Sequence, residues 1–330
     1  MDIIRKTKKN GDFYYINKIN KTKINNKKTL HYIKSIKIPP AYKNVKIATN
    51  FNSKIQCIGT DTKKRKQYIY NPEYTENQKK VKFADLIYFG KKIKRIRKEI
   101  YYNISKCYKN KELIYNKESI ISIVLYLIDY CNFRVGCEKY KKLYNSYGVT
   151  TLNKNHIRFG KKYAIIEFIG KKGVLNKSKV LNSTICSLLK NLCLKNDDYI
   201  FYYYDSKGDK YKISEKHIND YLKKYNSNLT VKMFRTWNTN YILLKELLSL
   251  ELPINEIQAK KNINLAIKKA AEQMHHSPNV SKQSYVNSEI VELYISNPLK
   301  FKKLVDFFRK TNGKLPTISR LLNLILTHIN

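Results

Sequence analysis

The chain has 330 residues and a mass of 39.1 kDa, with 66 Lys+Arg against 25 Asp+Glu, a formal net charge of +41 and a pI near 9.8. At 42% hydrophobic and 12% aromatic it can bury at least one substantial core, so the charge belongs to folded domains and not to a disordered tail. No apolar run approaches the roughly 20 residues a bilayer crossing needs, and the opening MDIIRKTKKNGD lacks an apolar signal core, so an intracellular chain with no membrane partner is expected.

Up to about Tyr70 the pattern predicts strands at 13–16, 31–36, 45–48, 55–58 and 67–70, where β-branched and aromatic residues alternate with polar ones and Pro39-Pro40 interrupts the series. Residues 59–65, Gly-Thr-Asp-Thr-Lys-Lys-Arg, read as a hairpin tip. The polar stretch 71–82 reads as a linker. Beyond it Leu86, Phe89, Ile93, Ile96 and Ile100 recur at helical spacing with Lys and Arg opposite. Helices are predicted at 119–131, 134–144, 178–194, 214–225, 231–250 and 254–274, and strands at 156–159, 163–169 and 175–181, with Gly170-Lys171-Lys172-Gly173 as a tight turn. The expected fold class is α+β. A small, mostly β domain spans 1–80, and a mainly helical domain with a small antiparallel sheet spans 81–330.

The charge points to a polyanion, first of all nucleic acid. Residues 1–82 carry 21 Lys+Arg against 5 Asp+Glu and the remainder 45 against 20, so both domains are expected to touch it. An acidic membrane surface would want the basic residues on one amphipathic helix, whereas here they are spread throughout. The Asn, Ile, Lys and Tyr richness also fits an AT-rich genome, which raises the Lys content of any solvated face.

Six cysteines, Cys57, Cys107, Cys131, Cys137, Cys186 and Cys193, contain no C-x-x-C pair and read as free thiols. No G-x-x-x-x-G-K-[ST] occurs, so no nucleotide is implied. Asp197-Asp198, and Asp205 with Asp209, read as solvated turn acids, and the six histidines show no metal-ligand spacing. Neither metal nor cofactor is expected. A basic protein acting on phosphate without a metal needs Arg, Lys and His donors and a side-chain nucleophile.

Such residues stand in order along the chain: Arg134 in Asn-Phe-Arg-Val-Gly-Cys-Glu-Lys-Tyr (132–140), Lys171 at the tight turn, Arg235 in Lys-Met-Phe-Arg-Thr-Trp (232–237), and His276 in His-Ser-Pro, nine residues before Tyr285. Each is weak alone among 28 tyrosines and 66 basic residues. The ordered set with its flanks, together with Ile-Pro-Pro-Ala-Tyr (38–42) and the segment 59–70, resembles the type IB DNA topoisomerases, and most closely the small poxvirus-type enzymes. The resemblance covers most of the chain.

That resemblance implies a monomer acting on double-stranded DNA, in virion and host-cell cytoplasm, relaxing supercoils through a 3′-phosphotyrosyl intermediate without ATP or metal. It implies that Tyr285 is the nucleophile, that Arg134, Arg235 and His276 are donors to the phosphate, and that Lys171 is the acid for the leaving oxygen. The family's spacing, His then Ser/Thr-Pro with the tyrosine nine residues after the His, fits His276 and not His275. It further implies DNA contacts by Arg65, Gln67, Tyr68 and Tyr70 on one hairpin, and by Lys139 and Tyr140 on a helix beginning near Arg134; strand packing is the competing reading for the two hairpin tyrosines. Lys172 departs from the acidic residue common after the lysine in relatives, and Cys137 departs on the helix. Tyrosine recombinases share these roles, but they usually carry His three residues before the second Arg, where Lys232 stands here. A non-enzymatic DNA-packaging protein would satisfy the charge and leave the ordered set unexplained.

Overall fold

The computed structural model describes residues 1–194, 198–310 and 317–329, which form two compact units, Met1–Lys82 and Phe83–Asn330. The first unit contains strands β1 (Ile3–Thr7) and β2 (Phe13–Asn17), helix α1 (Lys27–Ser35), and strands β3 (Lys43–Ile47), β4 (Ile55–Thr60) and β5 (Lys66–Tyr70). The strands make one antiparallel sheet in the order β2-β1-β3-β4-β5. Ile3, Tyr32, Ile33, Ile36, Val45, Ile47 and Cys57 form its core.

Three expectations here are corrected. Residues 31–36 are not a strand: Tyr32, Ile33 and Ile36 share one helical face, and Asn26 caps α1 by accepting from the Thr29 amide at 3.0 Å. β1 was not expected, and it lies between β2 and β3 in the sheet. The stretch 71–82 is not an irregular linker. Its residues open α2 (Pro72–Lys109), where Pro72 takes the first helical position and Asn71 Oδ1 accepts from the Glu73 amide at 2.8 Å. It is polar because burial on α2 begins only at Phe83.

The second unit continues α2 and adds α3 (Lys117–Tyr130), α4 (Glu138–Tyr144), β6 (Ile157–Phe159), β7 (Ala164–Ile169), β8 (Leu175–Val180), α5 (Ser183–Cys193), β9 (Tyr202–Tyr204) and β10 (Lys210–Lys212). There follow α6 (Glu215–Lys223), α7 (Lys232–Ser249), α8 (Glu256–Gln273), α9 (Pro278–Ser284), α10 (Ser288–Ser296), α11 (Pro298–Lys310) and α12 (Ile318–Ile329). β6, β7 and β8 form an antiparallel sheet in that order, and β9 and β10 a hairpin. The small sheets beside many helices make this an α+β fold. No helix among the described residues is long and apolar enough to cross a membrane.

Two helices are enclosed on nearly all sides, α3 from Ser119 to Ile128 and α7 from Met233 to Asn240. Phe89 of α2 meets Phe234 edge-on at 5.0 Å and Trp237 at 6.1 Å, which seats α7 against α2. β9 and β10 were not expected; they close a tyrosine-rich hairpin whose tip is shaped by Asp205, accepting from the Lys207 and Asp209 amides at 2.9 Å. Asp197 lies outside the described residues.

The helix expected from 134 begins instead at Glu138. Residues 132–137 are irregular because Asn132 (φ +55°) and Gly136 (φ +99°) take left-handed backbone. A Cβ on Gly148 would sit 2.5 Å from the Gly136 backbone, so the two glycines let the chains touch. Val149 then donates to the Arg134 carbonyl at 2.9 Å and Thr150 to that of Val135 at 2.7 Å. Arg134 is therefore fixed by a backbone clasp, not by a helix.

Candidate active site

α7 carries the buried end of the site. Arg235 is 4% exposed. Its guanidinium donates to the carbonyl of Asn132 and, at 2.8 Å, to that of Met274, and Nη2 lies 3.2 Å from Nδ1 of His276. Among the described residues no carboxylate contacts it. Burial draws its pKa down to about 10, the facing Tyr285 opposing and Arg134 adding to the effect. The group stays charged near neutrality with its charge uncancelled.

His276 follows α8, whose last turn ends at Met274 with His275 in left-handed backbone (φ +51°). His275 Nε2 donates to the Cys131 carbonyl at 3.0 Å, and the His275 carbonyl faces Arg134 Nη1 at 3.5 Å, so His275 ties the chain together without presenting its ring to the site. Because Arg235 offers N–H groups alone, Nδ1 of His276 accepts, and the ring proton resides on Nε2. Burial, then Arg235, Arg134 and His275, lower the His276 pKa to about 3, so the imidazole is neutral.

Tyr285 ends α9. Ser277 caps that helix, accepting from the Val280 amide at 3.4 Å, and Pro278 takes its first position, which is the local meaning of His-Ser-Pro. The Tyr285 ring stacks on His276 (centroids 5.0 Å apart, 18° between planes) and lies 5.5 Å from the Arg235 guanidinium carbon. Asn240, fully buried one turn beyond Arg235, donates to the Tyr285 carbonyl at 2.9 Å and accepts from the Asn287 amide at 2.8 Å. It holds the backbone on both sides of the tyrosine.

Two buried N–H donors beside Tyr285, Nε of Arg235 and Nε2 of His276, have no partner among the described residues. A buried donor left without a partner costs about 1–3 kcal/mol, which a ligand oxygen accepting from it would relieve. Both belong to residues expected to face a phosphate.

The structure thus joins Arg134, Arg235, His276 and Tyr285. Lys171 stands apart, exposed on the turn Lys171–Gly173, with no hydrogen bond or ion pair to the other four among the described residues. Its hairpin is nonetheless fixed to the Arg134 segment: Phe168 packs edge-on to Phe133 at 4.9 Å, and Tyr147 donates to the Ile169 carbonyl at 2.8 Å. Within the turn, Asn176 occupies the space a Cβ on Gly170 would need and donates to the Val174 carbonyl at 2.8 Å.

In the first unit Asp61 organises the hairpin tip. Its carboxylate accepts from Arg65 Nε and Gln67 Nε2, each at 2.8 Å, and from the Lys63 and Arg65 amides at 3.0 and 2.9 Å. The Arg65 hydrogen bond leads in lowering its pKa to about 2. Tyr68 and Tyr70 lie on the exposed face of β5, stacked at 6.3 Å, so they are not core packing. Lys139 and Tyr140 are exposed on α4, which buries no side chain and is held at its first turn by Glu138, bonded to Tyr199 at 2.6 Å and to Lys212. Reading the sequence did not single out Asn132, Asn238, Asn240 or the organising role of Asp61, because in so Asn-rich a chain no Asn stands out. No three His, Cys, Asp or Glu side chains converge as a metal site among the described residues.

A family model described as the catalytic core of eukaryotic DNA topoisomerase I matches residues 62–306, and one described as the N-terminal domain of bacterial DNA topoisomerase IB matches residues 12–61. The chain belongs to the type IB DNA topoisomerases. The DNA topoisomerase 1B of Acanthamoeba polyphaga mimivirus is 35% identical over 279 residues, covering 82% of this chain and 81% of that protein. The DNA topoisomerase 1B of vaccinia virus (strain Copenhagen) is 27% identical over 278 residues, covering 82% and 79%. The DNA topoisomerase I of monkeypox virus is 26% identical over the same length, with the same coverage. The topoisomerase core match contains all five residues of the ordered set.

One consequence of the His276 environment is measurable without DNA. A folded-state pKa of about 3 lies below the ordinary 6.5, so between those values the unfolded chain binds a proton that the folded chain does not. Its contribution to stability is full above about pH 6.5 and declines as the pH falls toward 3. His276→Asn should therefore flatten the acid side of the stability profile, though not abolish it, since burial lowers His275 as well. Urea unfolding at pH 5 and pH 7.5 checks this; an identical pH difference in the two proteins would contradict it.

Proposed function

We propose that this topoisomerase relaxes supercoiled duplex DNA through attack of Tyr285 on a phosphodiester. The two orphaned N–H donors beside the Tyr285 ring are the observation that carries the reading. As the phenolic oxygen bonds to phosphorus and the P–O5′ bond breaks, negative charge grows on the non-bridging oxygens. Arg235 and His276 Nε2 are poised to donate there, with Arg134 on the open side. The phenol releases its proton to solvent and the departing O5′ needs one; Lys171 supplies it from the hairpin tip and is reprotonated by solvent, which requires that DNA binding bring the turn and the phosphate together. The product is a 3′-phosphotyrosyl linkage and a free 5′-hydroxyl. One phosphoester replaces another, so strand rotation and religation require no ATP, and no step in this scheme calls on a metal.

The wider reading is that residues 1–80 add grip on double-stranded DNA, through Arg65 and Gln67 as fixed by Asp61 and through the exposed Tyr68 and Tyr70. Lys139 and Tyr140 on α4 meet the duplex beside the reacting strand. One chain carries the whole set, which supports a monomer. Relatives from mimivirus and poxviruses support work in a virion and the host-cell cytoplasm.

Plasmid relaxation in EDTA without ATP tests the function: relaxation is expected, whereas site-specific strand exchange or mere binding would replace the reading with a recombinase or a packaging protein. The role of Lys171 has its own test. Lys171→Ala should cleave ordinary DNA at least about 100-fold more slowly, and a 5′-bridging phosphorothiolate, whose thiolate leaves without a proton, should restore cleavage. Without that rescue, Lys171 binds phosphate instead.

A further inference from the structure

A polar seam runs from α2 to the buried guanidinium. Arg97 grips the Asp129 carboxylate, near the end of α3, through Nε to Oδ2 at 2.7 Å and Nη2 to Oδ1 at 2.8 Å. Asn238, three residues beyond Arg235 on α7 and 8% exposed, donates its amide to the Asp129 carbonyl at 2.9 Å, to Asp129 Oδ1 at 3.2 Å and to Oδ1 of Asn132 at 2.8 Å. Arg97 Nη2 reaches Oδ1 of Asn238 at 3.4 Å. Asn132, held by its side chain in left-handed backbone, turns its own carbonyl onto Nη1 of Arg235.

We infer that Asn132 and Asn238 are positioning residues for phosphoryl transfer: their mutual hydrogen bond fixes the carbonyl that aims the Arg235 fork. The inference rests on the reading of Arg235 as a phosphate donor. A guanidinium is planar, so fixing Nη1 on Asn132 and Nη2 on Met274 and His276 fixes the direction of the two donors left over, Nε–H and the second Nη1–H, and Nε is the orphaned one. A turn of the Asn132 peptide would swing the whole fork.

The chemistry of the seam suits this task. Asp129 is neutralised by Arg97 before it reaches the site, so what meets Arg235 is a dipole and not a charge. A carboxylate in direct contact would hold the guanidinium as firmly but cancel the charge that a phosphate needs. Asn132 also lies two residues before Arg134, so the same hydrogen bond anchors the start of the segment that carries the second arginine.

The test is single-turnover cleavage of a duplex oligonucleotide at saturating enzyme, with the DNA dissociation constant measured separately. Asn132→Gly keeps the left-handed backbone at no steric cost and removes the side-chain tie; Asn238→Ala removes its donor. Each should slow cleavage about tenfold with affinity changed less than about twofold. The double variant should be no slower than either single one, because both break one hydrogen bond. In an Arg235→Lys background, which has no fork to aim, Asn132→Gly should cost little more. Wild-type cleavage by Asn132→Gly, or an undiminished tenfold loss in the Arg235→Lys background, would overturn the inference. If Asn238→Ala does not fold, Asn132→Gly decides alone. Wild-type cleavage by Arg235→Lys would instead remove the donor reading of Arg235 itself.

Discussion

Everything in the second unit that bears on chemistry depends on burying one guanidinium without a counter-ion. Placing an unpaired charge in a protein interior is expensive, and the fold meets that cost with carbonyl dipoles from two separate segments and one imidazole nitrogen. A salt bridge would be the simpler solution, but on the proposed reading of Arg235 as a phosphate donor it would cancel the charge that role needs. The dipolar solution instead sets three other features. It draws the Asn132 turn and the end of α8 together. It dictates which nitrogen of His276 carries the proton. And it places a cation beside the face of the Tyr285 ring, which in turn packs on His276.

The surrounding architecture serves this one group. α7 is packed against α2 and α3, so Arg235 is buried; Asn240 extends the control one turn further and clasps the backbone around Tyr285. The Gly136 and Gly148 contact lets the Arg134 segment lie flat against its neighbour, and the Phe133 and Phe168 pair couples that segment to the hairpin bearing Lys171. Three of the five expected residues, Arg235, His276 and Tyr285, thereby meet in the free protein, and a fourth, Arg134, reaches the His275 carbonyl beside them. The fifth waits on an exposed turn, a reasonable division if proton supply is needed only once a leaving oxygen is in place.

Much of this was legible from the residues, for physical reasons that can be named. Long periodic segments such as α2, α3 and α7 were evident because their apolar faces repeat over several turns, and β7 because it is almost wholly apolar. Residues 31–36 misled because six residues with alternating character satisfy a strand template while their helical face shows only with the Asn26 cap in view. The stretch 71–82 misled because an exposed helix start carries no apolar period. The local pattern puts Arg134 on a helix because the left-handed Asn132 and Gly136, which break it, are set by a contact with Gly148 twelve residues beyond Gly136, and no local pattern reports that. The ordered site residues were found through a family resemblance, not through spacing alone. The asparagines that hold them were invisible, since their roles exist only in three dimensions.

The account stands or falls on the atom that attacks. Incubating the protein with a nicked or suicide DNA substrate, digesting the trapped complex and mapping the nucleotide-bearing peptide by mass spectrometry reads that atom directly. The expected product is a peptide containing Tyr285 joined to a 3′-phosphate, absent in Tyr285→Phe although that variant still binds DNA. A nucleotide on any other residue, or a trapped adduct that survives Tyr285→Phe, would contradict the arrangement of Arg235, His276 and Tyr285 as one phosphoryl-transfer site.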